Sequence, residues 1–157
     1  MSSNSDIANI LDDYNKQRRS RIVAFQSVYN LNFLDEDDLV MLTLDNTLSL
    51  YLNGRKNPER YINKDLVSKI YKYIVDNLSY IDEEIIKHLK NEESFESLSL
   101  NVKSILRSAV AELIVFAEVD APIIINEYTE ISKDFENIEK SKFINAILDK
   151  TSKSVRF

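Results

Sequence analysis

The chain has 157 residues, with 20 Lys and Arg against 26 Asp and Glu, so its formal net charge is −6. Its 44% hydrophobic content suffices for a core, and one Gly with two Pro predicts a mostly helical domain, because tight turns between strands need residues that tolerate positive φ. The lack of Gly also excludes a P-loop and a dinucleotide fingerprint, while the absence of Cys and the single His exclude disulfides, thiolate zinc sites, cysteine nucleophiles and histidine metal clusters.

The first predicted helix changes character along its length. Residues 1–5 are polar and are expected to be disordered. An apolar stripe at helical spacing follows, formed by Ile7, Ile10, Leu11 and Tyr14. Residues 15–30 continue as a helix that contains no acidic residue. The same segment holds a basic cluster made up of Lys16, Arg18, Arg19 and Arg21.

A loop separates the next two predicted helical regions. Residues 39–52 alternate in part as a strand would, but their Leu spacing also fits a helix, which is favoured because no second strand pattern lies nearby. Residues 53–58 form the clearest loop, with turn formers and a Pro. Residues 63–89 carry a sustained helical stripe, long enough for one helix or two in succession, with Asn63 as the predicted N-cap.

The remaining chain predicts three more helices. Residues 91–100 are a polar connection, and a helix with a broad buried face follows over residues 105–117 until Pro122 stops the pattern. Further helices are predicted from Asn126 and from Phe143. The chain is thus predicted to be one domain, residues 1–157, of six or seven helices. No apolar run approaches the about 18 residues of a membrane span and the N-terminus lacks a secretory pattern, so a cytoplasmic protein is expected.

The sequence predicts no catalytic or metal site. Among 26 carboxylates some close pairs are inevitable, so their number does not argue for acid–base chemistry. The only His, His88, is expected at the surface or half-buried, and no Gly-x-Ser-x-Gly elbow is present. The basic cluster at residues 16–21 has two interpretations: an ordinary exposed helix end, or a patch for an anionic partner, since cations at a helix N-terminus oppose its dipole.

Four blocks of the sequence occur in an order and spacing typical of one protein family. The first is Arg18-Arg19-Ser20-Arg21, followed by Gln26 and Tyr29. The others are LRSAVAEL at 106–113, a block from 125 to 135 that begins INE, and KFINAILDK at 142–150. Together they resemble the NusB transcription antitermination family. The resemblance implies an all-α, NusB-like fold of two packed helical subdomains that is not an enzyme and needs no cofactor or metal.

The same resemblance implies a function and a set of partners. Members of the family bind boxA-type RNA of ribosomal RNA operons, in single-stranded form, as a heterodimer with NusE, the small-subunit ribosomal protein. The complex supports processive transcription of ribosomal RNA, with other Nus factors and RNA polymerase as indirect partners. Two alternatives stay open: a helical protein-binding adaptor with reduced RNA affinity, or an accessory partner of an RNA methyltransferase.

The resemblance also assigns roles residue by residue. It implies an RNA-binding set made up of Arg18, Arg19, Arg21, Gln26, Ser141 and Lys142, and we expect the three arginines to lie exposed at one end of the molecule. Partner-binding roles fall on Tyr29, near the NusE contact, and on Val102. A structural set comprises Arg107 and Glu112 in ion-pair or capping roles, Glu127 in the motif, Asn126 as a helix N-cap, and Asn145 as the partner of a neighbouring loop.

Several positions depart from the family pattern. Ala146 and Glu136 stand where Gly is usual, Ala111 stands at a commonly aromatic position, and Val102 replaces a polar residue. His88 falls near a site that can carry an aromatic side chain stacked on RNA. These departures leave the predicted fold unchanged and bear on RNA affinity and on the NusE interface.

Overall fold

The computed structural model describes residues 2–34, 40–90 and 94–156, and within them it contains seven α-helices and no strand. The helices are α1 (Ser2–Leu31), α2 (Val40–Leu52), α3 (Pro58–Tyr61), α4 (Lys64–Ile86), α5 (Leu100–Val115), α6 (Ala121–Phe135) and α7 (Ile138–Val155). A short 3-10 turn, Phe95–Ser97, precedes α5. The all-α prediction is confirmed. Residues 91–93, the start of the predicted connection, lie outside the described residues.

Two uncertain segments resolve in favour of helices. The segment that alternated like a strand forms α2. The Asn63 side chain caps α4, since its Oδ1 accepts a hydrogen bond from the Leu66 N–H at 3.1 Å, as predicted. Asn77 has non-helical angles (φ −134°, ψ 27°) inside α4. The long stripe is therefore two helical segments that meet at a kink.

Three helix starts differ from the prediction. α1 begins at Ser2, so the described residues 2–5 are helical rather than disordered. α6 begins at Ala121 with Pro122 in its first turn. Proline is tolerated there because an N–H in the first turn would have no acceptor within the helix. Asn126 therefore lies inside α6 and is not its N-cap. α7 begins at Ile138, where the Asn137 side chain accepts from the Lys140 N–H at 2.9 Å.

The core is organised around α5. This helix contacts α1, α4, α6 and α7, while α2 and α3 pack on α1. Helices α1–α3 and α4–α7 thus form two subdomains joined where α1 lies against α4 and α5. Ile105, Leu106, Ala109, Val110 and Leu113 of α5 are fully buried, as expected for a helix enclosed by neighbours. Within the described residues, no helix is both long and apolar enough to cross a membrane.

Candidate nucleic-acid interface

Arg21 of the predicted RNA-binding set points into the protein. Its Nε donates to the two carboxylate oxygens of Glu112 at 3.0 and 3.1 Å, and its Nη2 donates to Oε2 at 2.8 Å. The Tyr128 hydroxyl donates to Oε1 of the same carboxylate at 2.9 Å. Arg21 is 8% exposed, and Glu112 and Tyr128 are 0% exposed. The bidentate pair therefore joins α1 to α5 and α6 inside the core.

Arg18 faces a second acidic side chain, Glu127 of α6. Its Nε donates to Glu127 Oε2 at 3.2 Å, and its Nη2 donates to the Tyr14 hydroxyl. The Nη1 of Arg21 lies 3.9 Å from the same Oε2. We refer to Arg18, Arg21, Glu112 and Glu127 as the internal ion network; it contains two cations and two carboxylates.

The prediction that all three arginines lie exposed is wrong for Arg21, which is buried, and holds only in part for Arg18 and Arg19, which are both half-buried. The cause is tertiary. No acidic residue occurs between residues 14 and 34, but α5 and α6 bring Glu112 and Glu127 against this face of α1. Most of the charge of Arg18 and Arg21 is therefore balanced within the protein.

The pKa values of Arg21 and Tyr128 reflect their contacts with Glu112. Burial works to lower the pKa of Arg21, but the hydrogen bonds and the charge of Glu112 outweigh it, and the pKa is raised. Burial raises the pKa of Tyr128 well above its ordinary value, and the negative charge of Glu112 adds to the rise. The arginine stays charged and the phenol stays neutral, which is the combination that the Glu112 carboxylate needs for its hydrogen bonds.

Arg19 turns away from this network. Its Nε donates to the backbone carbonyl of Tyr61 at 3.0 Å, and its guanidinium carbon lies 4.1 Å from the centre of the Tyr61 ring. Within the described residues Arg19 has no carboxylate partner. Of the three arginines, Arg19 keeps the most charge available to an external anion.

Gln26 and Tyr29 lie further along α1, and both are half-buried. The Gln26 side-chain carbonyl accepts a hydrogen bond from the Tyr51 hydroxyl of α2. The Tyr29 ring packs against the ring of Phe33 with centroids 5.4 Å apart. Phe33 is 62% exposed, so the two rings form an aromatic surface at the C-terminal end of α1.

Of the two predicted RNA-binding residues near the start of α7, Ser141 is buried and Lys142 is exposed. Ser141 is 1% exposed, and its hydroxyl donates to the Ile138 carbonyl at 2.7 Å. Its predicted RNA contact is therefore not available in this structure, because Oγ is used inside the helix. Lys142 is exposed and can reach an external partner.

The motif helix α5 has structural side chains. The Arg107 guanidinium forms a bidentate pair with Asp82 of α4, with both distances 2.8 Å. Val102 is fully buried, so the predicted partner contact at this position has no exposed side chain to make it. The hydroxyl of Thr129 on α6 donates to Asn145 Oδ1 at 3.4 Å, so Asn145 contacts a helix and not the expected loop.

Two of the departures from the family pattern, Glu136 and His88, form hydrogen bonds in this chain. Glu136 accepts a hydrogen bond from the Ser99 hydroxyl at 2.9 Å, linking the end of α6 to the start of α5. His88 is half-buried, as predicted, with Nε2 3.0 Å from the Ser154 hydroxyl. Ala111 is fully buried, and Ala146 is exposed on α7.

A second basic cluster escaped the sequence analysis. Arg55 and Lys56 from the α2–α3 loop, with Arg60 of α3, line an open cavity of about 510 Å³ together with Arg19 and Tyr61. The available signal was the three cations themselves, of which Arg55 and Lys56 lie in the predicted loop at residues 53–58 and Arg60 follows it. No group of acidic or His side chains suited to a metal ion occurs in the described part of the chain.

Comparisons with known proteins agree on one family. Residues 18–153 match the family model described as the NusB family. Transcription antitermination protein NusB of Rickettsia bellii (strain OSU 85-389) is 34% identical over 140 residues, which cover 87% of this chain and 89% of the relative. The protein of the same name from Rickettsia massiliae (strain Mtu5) is 30% identical over 145 residues, covering 88% and 92%.

Solved structures show the same fold. T. maritima NusB superposes with a TM-score of 0.72 and 28% identity, covering 87% of this chain and 89% of its own. A chain from a crystal structure of a plectonemic RNA supercoil gives a TM-score of 0.70 at 22% identity, covering 88% and 95%. The second likeness concerns the fold alone.

Proposed function

This chain belongs to the NusB family of transcription antitermination proteins, and on that premise we propose that it binds boxA-type RNA of ribosomal RNA operons as a heterodimer with NusE. The observation that carries the proposal is the family match, which begins at Arg18 and runs through the last motif block to residue 153. In this proposal the protein catalyses no reaction and needs no cofactor. It acts in the cytoplasm, with other Nus factors and RNA polymerase as indirect partners, to support processive transcription of ribosomal RNA.

The cations that have no carboxylate partner within the described residues supply the RNA contacts in this proposal. Arg19 and Lys142 are the members of the predicted set whose charges have no carboxylate partner among the described residues, and they contact phosphates. Arg18 shares its charge with Glu127 and contributes less. Arg21 holds α1 in place through Glu112 rather than touching RNA. Phosphate contacts position the strand and carry no sequence information directly.

Gln26 serves base recognition in this proposal. An amide presents both a donor and an acceptor to a base edge, and the Nε2 amino group of Gln26 stays available when its Oε1 accepts from Tyr51. Single-stranded RNA exposes such edges, which a duplex conceals. The Gln26–Tyr51 contact limits the rotation of the amide and so reduces the entropy lost on binding.

NusE contacts the Tyr29–Phe33 aromatic surface in this proposal. Aromatic side chains are enriched at protein interfaces, where they bury a large area at a small cost in side-chain entropy. Phe33 leaves much of its ring exposed in the isolated chain. In this proposal the aromatic surface at the end of α1 is covered by NusE, whereas Arg19, ten residues earlier in α1, contacts RNA. The two ligands therefore occupy different parts of α1.

The formal net charge of −6 favours weak RNA binding by the isolated chain. A partner that adds its own contacts to the same RNA raises the affinity, and linkage requires that the RNA strengthens the NusE contact by the same factor. The heterodimer, rather than either protein alone, is the sequence-reading unit in this proposal.

The test is a titration of fluorescent boxA-type RNA, and of a scrambled RNA of equal composition, at several salt concentrations with and without NusE. We expect salt-dependent binding that prefers the boxA sequence and tightens when NusE is added. The Phe33→Ala variant should lose the NusE effect and retain the RNA affinity of the isolated chain.

Binding to neither RNA at any salt concentration would contradict the proposal and favour the adaptor alternative. Recovery of an RNA methyltransferase, without NusE, with the full-length chain from cells would favour the accessory-partner alternative.

A further inference from the structure

The α2–α3 loop brings new cations against α1. Gly54 (φ 74°) and Asn57 (φ 55°) both have left-handed backbone angles, which turn the chain sharply between the two helices. The turn places Arg55 and Lys56 beside Arg19, although more than 30 residues separate them in the sequence. The cavity that they line with Arg60 and Tyr61 is called the basic pocket below.

Two arginines of the basic pocket, Arg19 and Arg55, are held in place by Tyr61. The guanidinium carbons of Arg55 and Arg19 lie 3.6 and 4.1 Å from the centre of the Tyr61 ring. Arg55 also donates from Nη2 to the Tyr61 hydroxyl at 3.0 Å and from Nε to the Tyr51 carbonyl at 3.1 Å. Both guanidinium groups are therefore positioned before any ligand arrives, which reduces the entropy lost on binding.

The charges of the basic pocket are not balanced from within. Its lining has four cations, Arg19, Arg55, Lys56 and Arg60, and one carboxylate, that of Asp12. None of the four cations forms an ion pair with an acidic side chain in residues 2–34, 40–90 or 94–156. In the internal ion network, by contrast, each cation faces a carboxylate. This concentration of unpaired positive charge in an acidic protein favours an anionic ligand.

We propose that the basic pocket binds the phosphate backbone of single-stranded RNA that extends beyond the recognised sequence. The inference rests on the proposed function, and it deepens it by adding Arg55, Lys56 and Arg60 to the RNA surface. Arg19 belongs both to the segment at residues 18–21 and to the basic pocket, so a strand on one continues onto the other. Arginine forks match the geometry of phosphate oxygens, and a cavity of about 510 Å³ has room for a nucleotide rather than a single small ion.

The test compares two triple variants of the full-length chain. R55A/K56A/R60A removes three cations of the basic pocket, and K72A/K90A/K150A removes three exposed cations from elsewhere. The probes are a fluorescent boxA-type RNA and the same RNA with a single-stranded uridine extension at either end. Anisotropy titrations are run at several salt concentrations, and circular dichroism verifies that each variant is folded.

We expect the extension to tighten binding to the wild-type chain and to the control variant but not to the pocket variant. For the extended RNA, the slope of log affinity against log salt should fall by up to about 2 in the pocket variant, since each lost single-strand contact removes about 0.7. Equal affinities and slopes for the two triple variants would overturn the inference while leaving the proposed function intact. Failure of the wild-type chain to bind either RNA would overturn both.

A second measurement does not depend on the folding of a variant. The extended RNA, carrying 4-thiouridine, is irradiated with the wild-type chain, and the crosslinked peptides are identified by mass spectrometry. We expect crosslinks within residues 53–61. Crosslinks confined to other segments would show that the extension does not bind in the basic pocket and would overturn the inference.

Discussion

Arg21 of α1 and Glu112 of α5 form a bidentate, buried ion pair although 91 residues separate them in the sequence. Tyr128 adds a hydrogen bond to the same carboxylate. A buried ion pair needs these hydrogen bonds, because removing each ion from water costs several kcal/mol. The pair connects the two subdomains, since α1 belongs to one and α5 to the other.

Removing the charge of Glu112 should destabilise the fold. In Glu112→Gln, Arg21 keeps its charge in a buried site without a full counter-charge, and we expect the free energy of unfolding to fall by about 3–5 kcal/mol. Urea unfolding measures the change. The matched control is Asp149→Asn in the exposed pair with Lys153, where the expected loss is at most about 1 kcal/mol.

A double variant separates pairing from packing. R21M/E112L replaces both charges by apolar groups and should be more stable than Glu112→Gln, because no unpaired buried charge is left. A double variant that is less stable than the single one would contradict the role assigned to the ion pair.

Arg156 should stabilise the C-terminal end of α5. Its guanidinium donates to the carbonyls of Leu113, Phe116 and Val119 at 2.8, 3.0 and 2.6 Å. Leu113 lies in the last turn of α5, where carbonyls lack partners within the helix, and the other two lie in the turn that follows. We expect Arg156→Ala to lower the free energy of unfolding by about 1–3 kcal/mol, measured in urea. Lys153→Ala, at an exposed position near the end of α7, should change it by less than about 0.5 kcal/mol. Equal effects of the two substitutions would exclude the capping role.

Two buried tyrosines should make the fold sensitive to alkaline pH. Burial raises the pKa of Tyr71 to about 12, and burial with the charge of Glu112 raises that of Tyr128 well above the ordinary 10.0. The unfolded chain therefore loses these protons near pH 10, while the folded chain keeps them. The stabilising contribution is complete below pH 10 and is lost as pH rises through the folded-state values.

Absorbance of tyrosinate at 295 nm, followed with circular dichroism between pH 8 and about 13, tests this expectation. Of the eight tyrosines, at least these two should ionise late and together with the loss of helix. Titration of all eight near pH 10 with the helical signal intact would be inconsistent with the buried hydroxyls.

Substituting Arg19 should affect RNA binding without a large effect on the fold. Arg19→Ala removes one phosphate contact, so the slope of log affinity against log salt should fall by about 0.7. The comparison is Lys72→Ala, which removes an exposed charge from α4. An Arg19→Ala slope equal to that of Lys72→Ala would place the RNA on another surface.

Much of the fold follows from local sequence. One Gly and two Pro, with apolar residues at helical spacing, predicted the all-α architecture, and Asn63 capped its helix as its type and position indicated. Errors arose at Asn126 and Phe143, because α6 already begins at Ala121 and α7 at Ile138. Several neighbouring residues in each region are of types that suit a helix start, so the sequence alone does not fix the first helical residue.

The sequence by itself determined the helices, the family and the positions of the positive charges along the chain. Only the tertiary structure decided which charges face the solvent. Arg18 and Arg21 lie within two residues of Arg19 in sequence, yet they meet Glu127 and Glu112, whereas Arg19 meets the distant Arg55 and Arg60. The physical reason is that a helix turns about 100° per residue, so neighbouring side chains face different partners. Those partners belong to segments that are distant in the sequence, so the residues around Arg19 do not indicate which charge each arginine will meet.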